Sequence, residues 1–167
     1  MNNGRFSCLI YCFLASALYI PVALSQDAAA LEATTYIAWK FTLEVPNSIH
    51  GEKEMPADFE VYRFRQSQDP KSDAILVAYA GNHPNTMWER EIPTGVVIQA
   101  LTLGTLTAKS IEWTDGKGRF YRKTLVALPK NFGVPQYVLF SYRKMDSQEK
   151  QIADKIIESI KAIEVSQ

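Results

Sequence analysis

Thiol chemistry is the first thing this chain lacks. Its two cysteines, Cys8 and Cys12, both sit in an apolar stretch at the start. From Gln26 onward there is none, so that part has no disulfide, no thiolate metal site and no cysteine nucleophile. An excess of either charge is missing as well. Lysine plus arginine number 18, and so do aspartate plus glutamate. A near-neutral chain has no bulk electrostatic reason to bind nucleic acid or an anionic membrane. No Asn-x-Ser/Thr sequon occurs, no Gly-x-Ser-x-Gly elbow and no Gly-x-x-x-x-Gly-Lys-Ser/Thr loop. Those absences remove the motif-based routes to a serine hydrolase or a phosphate-binding enzyme. Histidine is limited to His50 and His83. Repeats and low-complexity segments do not appear, and no cofactor motif is present.

What is there begins with an address. Met1 to Arg5 carry one positive charge, Phe6 to Leu24 are almost wholly apolar, and Ala23-Leu24-Ser25 offers small residues before a cut. This is the layout of a secretory signal peptide over residues 1–25. The alternative is an uncut anchor, because the apolar run has about the ~20 residues that span a bilayer. Cleavage removes both cysteines and Arg5, and leaves a periplasmic or secreted chain with no membrane span. About 140 residues then remain, enough for one domain that buries roughly two-thirds of its unfolded surface.

Residues 26–35 read as an N-terminal arm, helical or frayed, and residues 36–167 as a single globular domain. Ile37, Trp39, Phe41, Leu43 and Val45 alternate with Ala38, Lys40, Thr42 and Glu44, the clearest strand pattern in the chain. Pro46 ends it, and Ser48 to Ala57 read as a loop. Phe59 to Arg65 form a second strand. Ala74 to Ala80, apolar at nearly every position, read as a central strand buried on both faces. Met87 to Thr105 are expected to be a loop followed by irregular extended structure. Ala108 to Trp113 and Arg119 to Leu128 form a hairpin around Thr114-Asp115-Gly116-Lys117-Gly118. Tyr137 to Tyr142 are the last strand. Asp146 caps a helix, with Glu149 as its capping-box partner. Ile152, Ile156, Ile160 and Ile163, with Ala153 and Ile157, give that helix its apolar stripe. The expectation is an α+β fold: an antiparallel sheet of about six strands with a C-terminal amphipathic helix packed on it.

The first strand ends in Pro46, the last strand is Tyr137 to Tyr142, and the helix closes with Ala153-Asp154-Lys155-Ile156-Ile157-Glu158-Ser159-Ile160-Lys161. This order resembles Mog1/PsbP-like domains over roughly Tyr36 to Ile163. The resemblance implies an α/β/α sandwich and an accessory or adaptor role. It supplies no shared catalytic motif, and fold does not fix function.

Candidate chemistry centres on the turn after the third strand. Asn82 and His83 sit where functional side chains concentrate. Trp88 and Arg90 follow, flanked by Glu89 and Glu91, and tryptophan and arginine dominate interface hot spots. These four are the candidate partner- or ligand-binding residues. One histidine without a second at ligand spacing gives no metal site, and the carboxylates Glu112, Asp115, Asp69 and Asp73 read as solvated charge at loop tips. Lys117, Arg119, Arg122 and Lys123 with Phe120 and Tyr121 form a basic-aromatic run. Alternation sends Arg119, Tyr121 and Lys123 one way and Phe120 and Arg122 the other, and the run reads as sheet-edge protection. Trp39 and Trp113 are expected in the core. The function expected is an exported, non-enzymatic binding or accessory domain of the cell envelope. Its protein partner or small ligand would meet loops Gly81 to Glu91 and Pro129 to Pro135. The alternatives are a toxin-neutralising partner, or a hydrolase or metal-dependent enzyme centred on His83.

Overall fold

Ten strands and one helix make up residues 32–55, 58–82, 92–130 and 135–163, which the computed structural model describes. The strands are β1 (Ala33–Ile37), β2 (Phe41–Pro46), β3 (His50–Glu54), β4 (Glu60–Arg65), β5 (Leu76–Gly81), β6 (Gln99–Leu103), β7 (Leu106–Thr114), β8 (Phe120–Ala127), β9 (Tyr137–Met145) and β10 (Lys161–Ala162). The helix is α1 (Ser147–Glu158). Seven strands form one antiparallel sheet in the order β3-β4-β5-β9-β8-β7-β6. A second sheet, β1-β2-β10, is also antiparallel. The architecture is α+β, but the single sheet of about six strands is replaced by sheets of seven and three. No helix of the described residues is long and apolar enough to cross a membrane. Residues 1–25, expected from the sequence to be a signal peptide, lie outside the described residues.

The small sheet and α1 pack together on one face of the large sheet. Alternation explains which side chains meet there. Tyr62 and Phe64 on β4, Leu76, Ala78 and Ala80 on β5, Val138 and Phe140 on β9, and Val126 on β8 are all buried. Phe41, Leu43 and Val45 of β2 meet them with Ala153, Ile156 and Ile157 of α1 in one cluster. β5 is an interior strand, as its apolar run predicts. A smaller cluster, Tyr79, Ile111 and Leu139, lies on the opposite face, with Val61, Trp113 and Leu125 partly buried against it.

Several expectations are corrected by how the chain turns. The pattern Ile37 to Val45 is not one strand. Ala38 N–H donates to the Phe41 carbonyl at 2.9 Å, and the chain reverses between β1 and β2. Alternation survives a tight reversal, so periodicity alone does not reveal it. Trp39 falls at that reversal and is 42 % exposed instead of core. Its backbone N–H donates to the buried Tyr62 hydroxyl at 2.9 Å. Residues 33–35, read as arm, belong to β1. The expected loop Ser48 to Ala57 contains β3, and the expected irregular stretch before Thr105 contains β6. β3 has no apolar alternation because it is an edge strand, and Gly51 is its contact to the core. A Cβ at Gly51 would stand 2.6 Å from Cε2 of Tyr36, whose ring meets Tyr62 and Phe64 edge-on.

The C-terminal helix starts as its sequence dictates. Asp146 Oδ1 accepts from the N–H groups of Gln148 and Glu149, and Glu149 accepts from the Asp146 N–H. It ends earlier than the isoleucine stripe suggests. Ser159 stops it: the Ser159 hydroxyl donates to the Ile156 carbonyl and accepts from the Glu44 N–H. Ile160 stays buried, but the chain beyond pairs with β2, and the Ile163 N–H donates to the Lys40 carbonyl at 3.0 Å.

Candidate functional site

Of the four candidate residues, Asn82 alone is described. It is exposed just past β5. His83, Trp88 and Arg90 lie outside the described residues, with the rest of that loop through Glu91. The register sets Gly81 opposite Tyr137, and Tyr137 opposite Ala127. Gly81, Ala127 and Tyr137 therefore stand at the same end of the sheet, where the Leu128 N–H donates to the Gln136 carbonyl. Among the described residues, no three histidine, cysteine, aspartate or glutamate side chains group to hold a metal ion.

A cleft of about 1040 Å³ opens at the other end of the large sheet. Arg63 on β4, Lys117 and Arg119 at the β7–β8 turn, and Arg143 and Lys144 on β9 line it, with the carboxylates Asp73, Asp115 and Glu149. The pairing explains how β9 delivers two consecutive cations. Phe120 pairs with Met145 and Arg122 with Tyr142, so Arg143 and Lys144 both stand opposite Tyr121. This is a β-bulge, a device that re-aims side chains. Lys144 adopts φ 57° there, the left-handed region, and is the only described residue other than glycine to do so. An L-residue in that region costs about 1–2 kcal/mol.

Two of the three carboxylates are already engaged. Asp115 Oδ1 accepts from the N–H groups of Lys117 and Arg119, and Oδ2 accepts from the Tyr121 hydroxyl at 3.0 Å. These bonds, the Arg119 N–H foremost, hold the Asp115 carboxyl below its usual range. Glu149 serves the helix cap. Lys117, Arg119 and Lys144 are exposed and make no ion pair among the described residues. Arg63 pairs with Glu54 across the β3–β4 ladder at 3.0 Å. The cleft therefore carries a local positive excess on a chain whose net charge is zero.

The basic-aromatic run divides as alternation predicts, but its role differs from edge protection. β8 lies between β9 and β7, and the edges are β3 and β6. Arg122 points under α1 into a polar network. Its guanidinium donates to Asp154 at 2.7 Å, to Ser110 at 3.0 Å and to Thr124 at 3.0 Å. Lys150 bridges Asp154 at 2.6 Å and Glu112 at 3.2 Å. Glu112 is therefore tied into a helix–sheet joint. Asp69 shapes its own turn by accepting from the Lys71 N–H at 2.9 Å. Trp113 is half-buried and stacks on Tyr121 at 5.3 Å. Lys123 is buried on the opposite face from α1.

Tyr142 completes the network by donating to Asp154 at 3.1 Å. Burial, then the negative charges of Asp154 and Glu112, hold the Tyr142 phenol well above its ordinary value. Burial and the hydrogen bond to Glu60 do the same for Tyr62. Both phenols ionise near pH 10 once unfolded but not while folded. Their contribution is whole below about pH 10 and is lost as the pH rises above it. Stability against urea is expected to fall on titration above pH about 10. In Tyr142→Phe the fall is shallower, at a cost of about 1 kcal/mol in neutral solution. A pH-independent urea midpoint from neutrality through that range would contradict this.

The sequence signal for the cleft was slight. Lys117 and Arg119 were visible at the turn, but nothing in Tyr142-Arg143-Lys144-Met145 announces a bulge, and Arg63 reads as an ordinary strand residue. No family model matches the chain, and no curated protein matches it.

Proposed function

We propose that this chain is an exported, non-enzymatic binding domain that takes an acidic partner into the cation-lined cleft, in the periplasm or outside the cell. The observation that carries the reading is the β9 bulge. It keeps a lysine at φ 57°, where glycine is at ease, and sets Arg143 and Lys144 side by side in the cleft wall. Strain of this kind persists where the surrounding structure over-determines it, and it clusters at working sites. The bland role of exposed cations, keeping a sheet edge from pairing, does not suit strands in the interior of the sheet. Complementary charge steers encounter and selects partners more than it adds affinity. The proposal extends to the Mog1/PsbP-like relationship and the accessory or adaptor role that goes with it, although among the described residues one helix covers one face of the large sheet where that family's α/β/α sandwich has helices on both.

The test uses a fluorescent oligoglutamate peptide and anisotropy titration. Binding is expected to weaken as salt rises, because exposed charges are screened within about 10 Å at 0.1 M. Lys117→Glu with Arg119→Glu is expected to weaken it about tenfold or more, each exposed pair being worth up to about 1 kcal/mol. Lys144→Gly separates binding from stability. It should raise stability by about 1 kcal/mol by relieving the left-handed lysine, and should weaken the peptide as well. Peptide binding that ignores both substitutions overturns the reading.

A further inference from the structure

The two edges of the seven-stranded sheet differ in chemistry. β3 carries Glu52, Lys53 and Glu54, the charged pattern that keeps an edge from pairing with another chain. β6 carries no charge at all. From Ile92 through Ala108 every residue is uncharged, and β6 has β7 as its single neighbour among the described residues. Gln99, Ala100 and Thr102 are exposed. Just before them Val97 is 72 % and Ile98 53 % exposed. Native sheets guard their edges with charge, proline or a cover, and none of the first two is present at β6.

We infer that β6 is the self-association edge of the protein, pairing antiparallel with β6 of a second copy so that the large sheet runs on through a two-fold axis. The register follows from the β6–β7 hairpin. Leu103 pairs with Leu106 around the two-residue turn Gly104-Thr105, and Gly104 has φ 58°, suiting the first turn position of a tight hairpin. Residues flanking such a turn exchange hydrogen bonds, and bonded and non-bonded pairs alternate. Leu103, Leu101 and Gln99 therefore bond to β7, whereas Ala100 and Thr102 direct their N–H and C=O groups outward. A two-fold axis through Leu101 sets Ala100 opposite Thr102 of the second copy and Thr102 opposite Ala100. Both outward pairs are then satisfied reciprocally, as an isologous contact requires. A copy of the same uncharged segment meets no like charge, whereas an acidic or basic partner finds nothing to pair with. The cleft stays open in this dimer, since none of its lining residues lies on β6.

The register makes the test specific. In a non-hydrogen-bonded antiparallel pair the Cα atoms stand about 4.5 Å apart, within the range a disulfide spans. The full chain is prepared with Cys8→Ser and Cys12→Ser, and one further cysteine is introduced. Leu101→Cys is expected to oxidise to a covalent dimer. Gln99→Cys is expected to stay monomeric, because its opposite is Leu103 of the second copy. Sedimentation velocity should give the unsubstituted chain a mass twice that of one copy. Thr102→Pro removes an outward N–H, a position where an edge strand tolerates proline. It should yield a folded monomer, with circular dichroism confirming the sheet. A monomeric parent chain overturns the inference, as does a Gln99→Cys variant that cross-links as readily as Leu101→Cys. So does an edge that takes up a foreign extended peptide while the chain stays monomeric.

Discussion

Asp154→Ala is expected to destabilise the protein by about 3 kcal/mol, the low end of the cost of breaking a buried ion pair from one side, because this pair is largely but not fully buried. Asp154 accepts from Arg122, Lys150 and Tyr142 together. Arg122 and Asp154 side chains are only 11 % and 16 % exposed. Without the carboxylate, Arg122 keeps hydrogen bonds only to the hydroxyls of Ser110 and Thr124, and Glu112, opposite it in the β7–β8 register, is shared with Lys150. The loss is the desolvation of a guanidinium that has lost its ion-pair partner and is larger than the intrinsic worth of the bridge. The corollary separates the two. A double variant, Arg122→Met with Asp154→Leu, should be less destabilised than Asp154→Ala, because an apolar pair of similar bulk leaves no buried charge. Urea unfolding followed by circular dichroism checks both, with the midpoint moving and the slope constant. A single variant as stable as the parent, or a double variant worse than the single, would show that the network contributes otherwise.

Phe41→Ala is expected to cost about 3–5 kcal/mol, the range for deleting a buried phenylalanine. Phe41 is fully buried. Its ring stands edge-on to Tyr62 at 5.7 Å and to Phe140 at 6.4 Å, joining the small sheet to two strands of the large one. Alanine leaves a cavity between the sheets that rigid strands close only in part. Phe41→Leu, which fills most of that volume, should lose less. Hydrogen exchange locates the damage. Amides of β1 and β2 should lose more protection than those of β5 and β9, which the large sheet holds independently. Uniform loss across both sheets would falsify the idea that Phe41 acts at the joint.

Much of the fold was legible because local rules decided it. Asp146 and Glu149 make a helix start from four residues of sequence, and the structure places that cap where they dictate. The β7–β8 hairpin follows from Asp115 and Gly118 between two alternating runs. β5 is interior because its apolar run leaves no face for water. The two missed strands share one cause. Edge strands have only one neighbour and one half-buried face, so β3 and β6 lack the pattern that marks a strand. The β1–β2 reversal at Trp39 is held by Tyr62, 23 residues away, and nothing near Trp39 discloses it. Ile160 and Ile163 keep helical spacing, yet pairing with β2 takes the chain out of the helix first.

The candidate site was legible in fragments. Lys117 and Arg119 stood out at their turn, but they were read as guards of an edge, because strand order is a long-range property. The position of β8 between β9 and β7 removes that role. Arg143 and Lys144 gain theirs from one extra residue in β9, which shows only against the partner strand.

By itself the sequence determined the balance of charge, the absence of cysteine beyond Cys12, the α+β class, the capped C-terminal helix and the core alternation of the interior strands. These depend on side-chain type and spacing over a few residues. The tertiary structure alone decided that the strands divide into sheets of seven and three, that β6 is an uncharged edge, and that five cations from three parts of the chain meet in one cleft. Those properties depend on which strands lie side by side, and that is set by burial summed over the whole chain, which no short window contains.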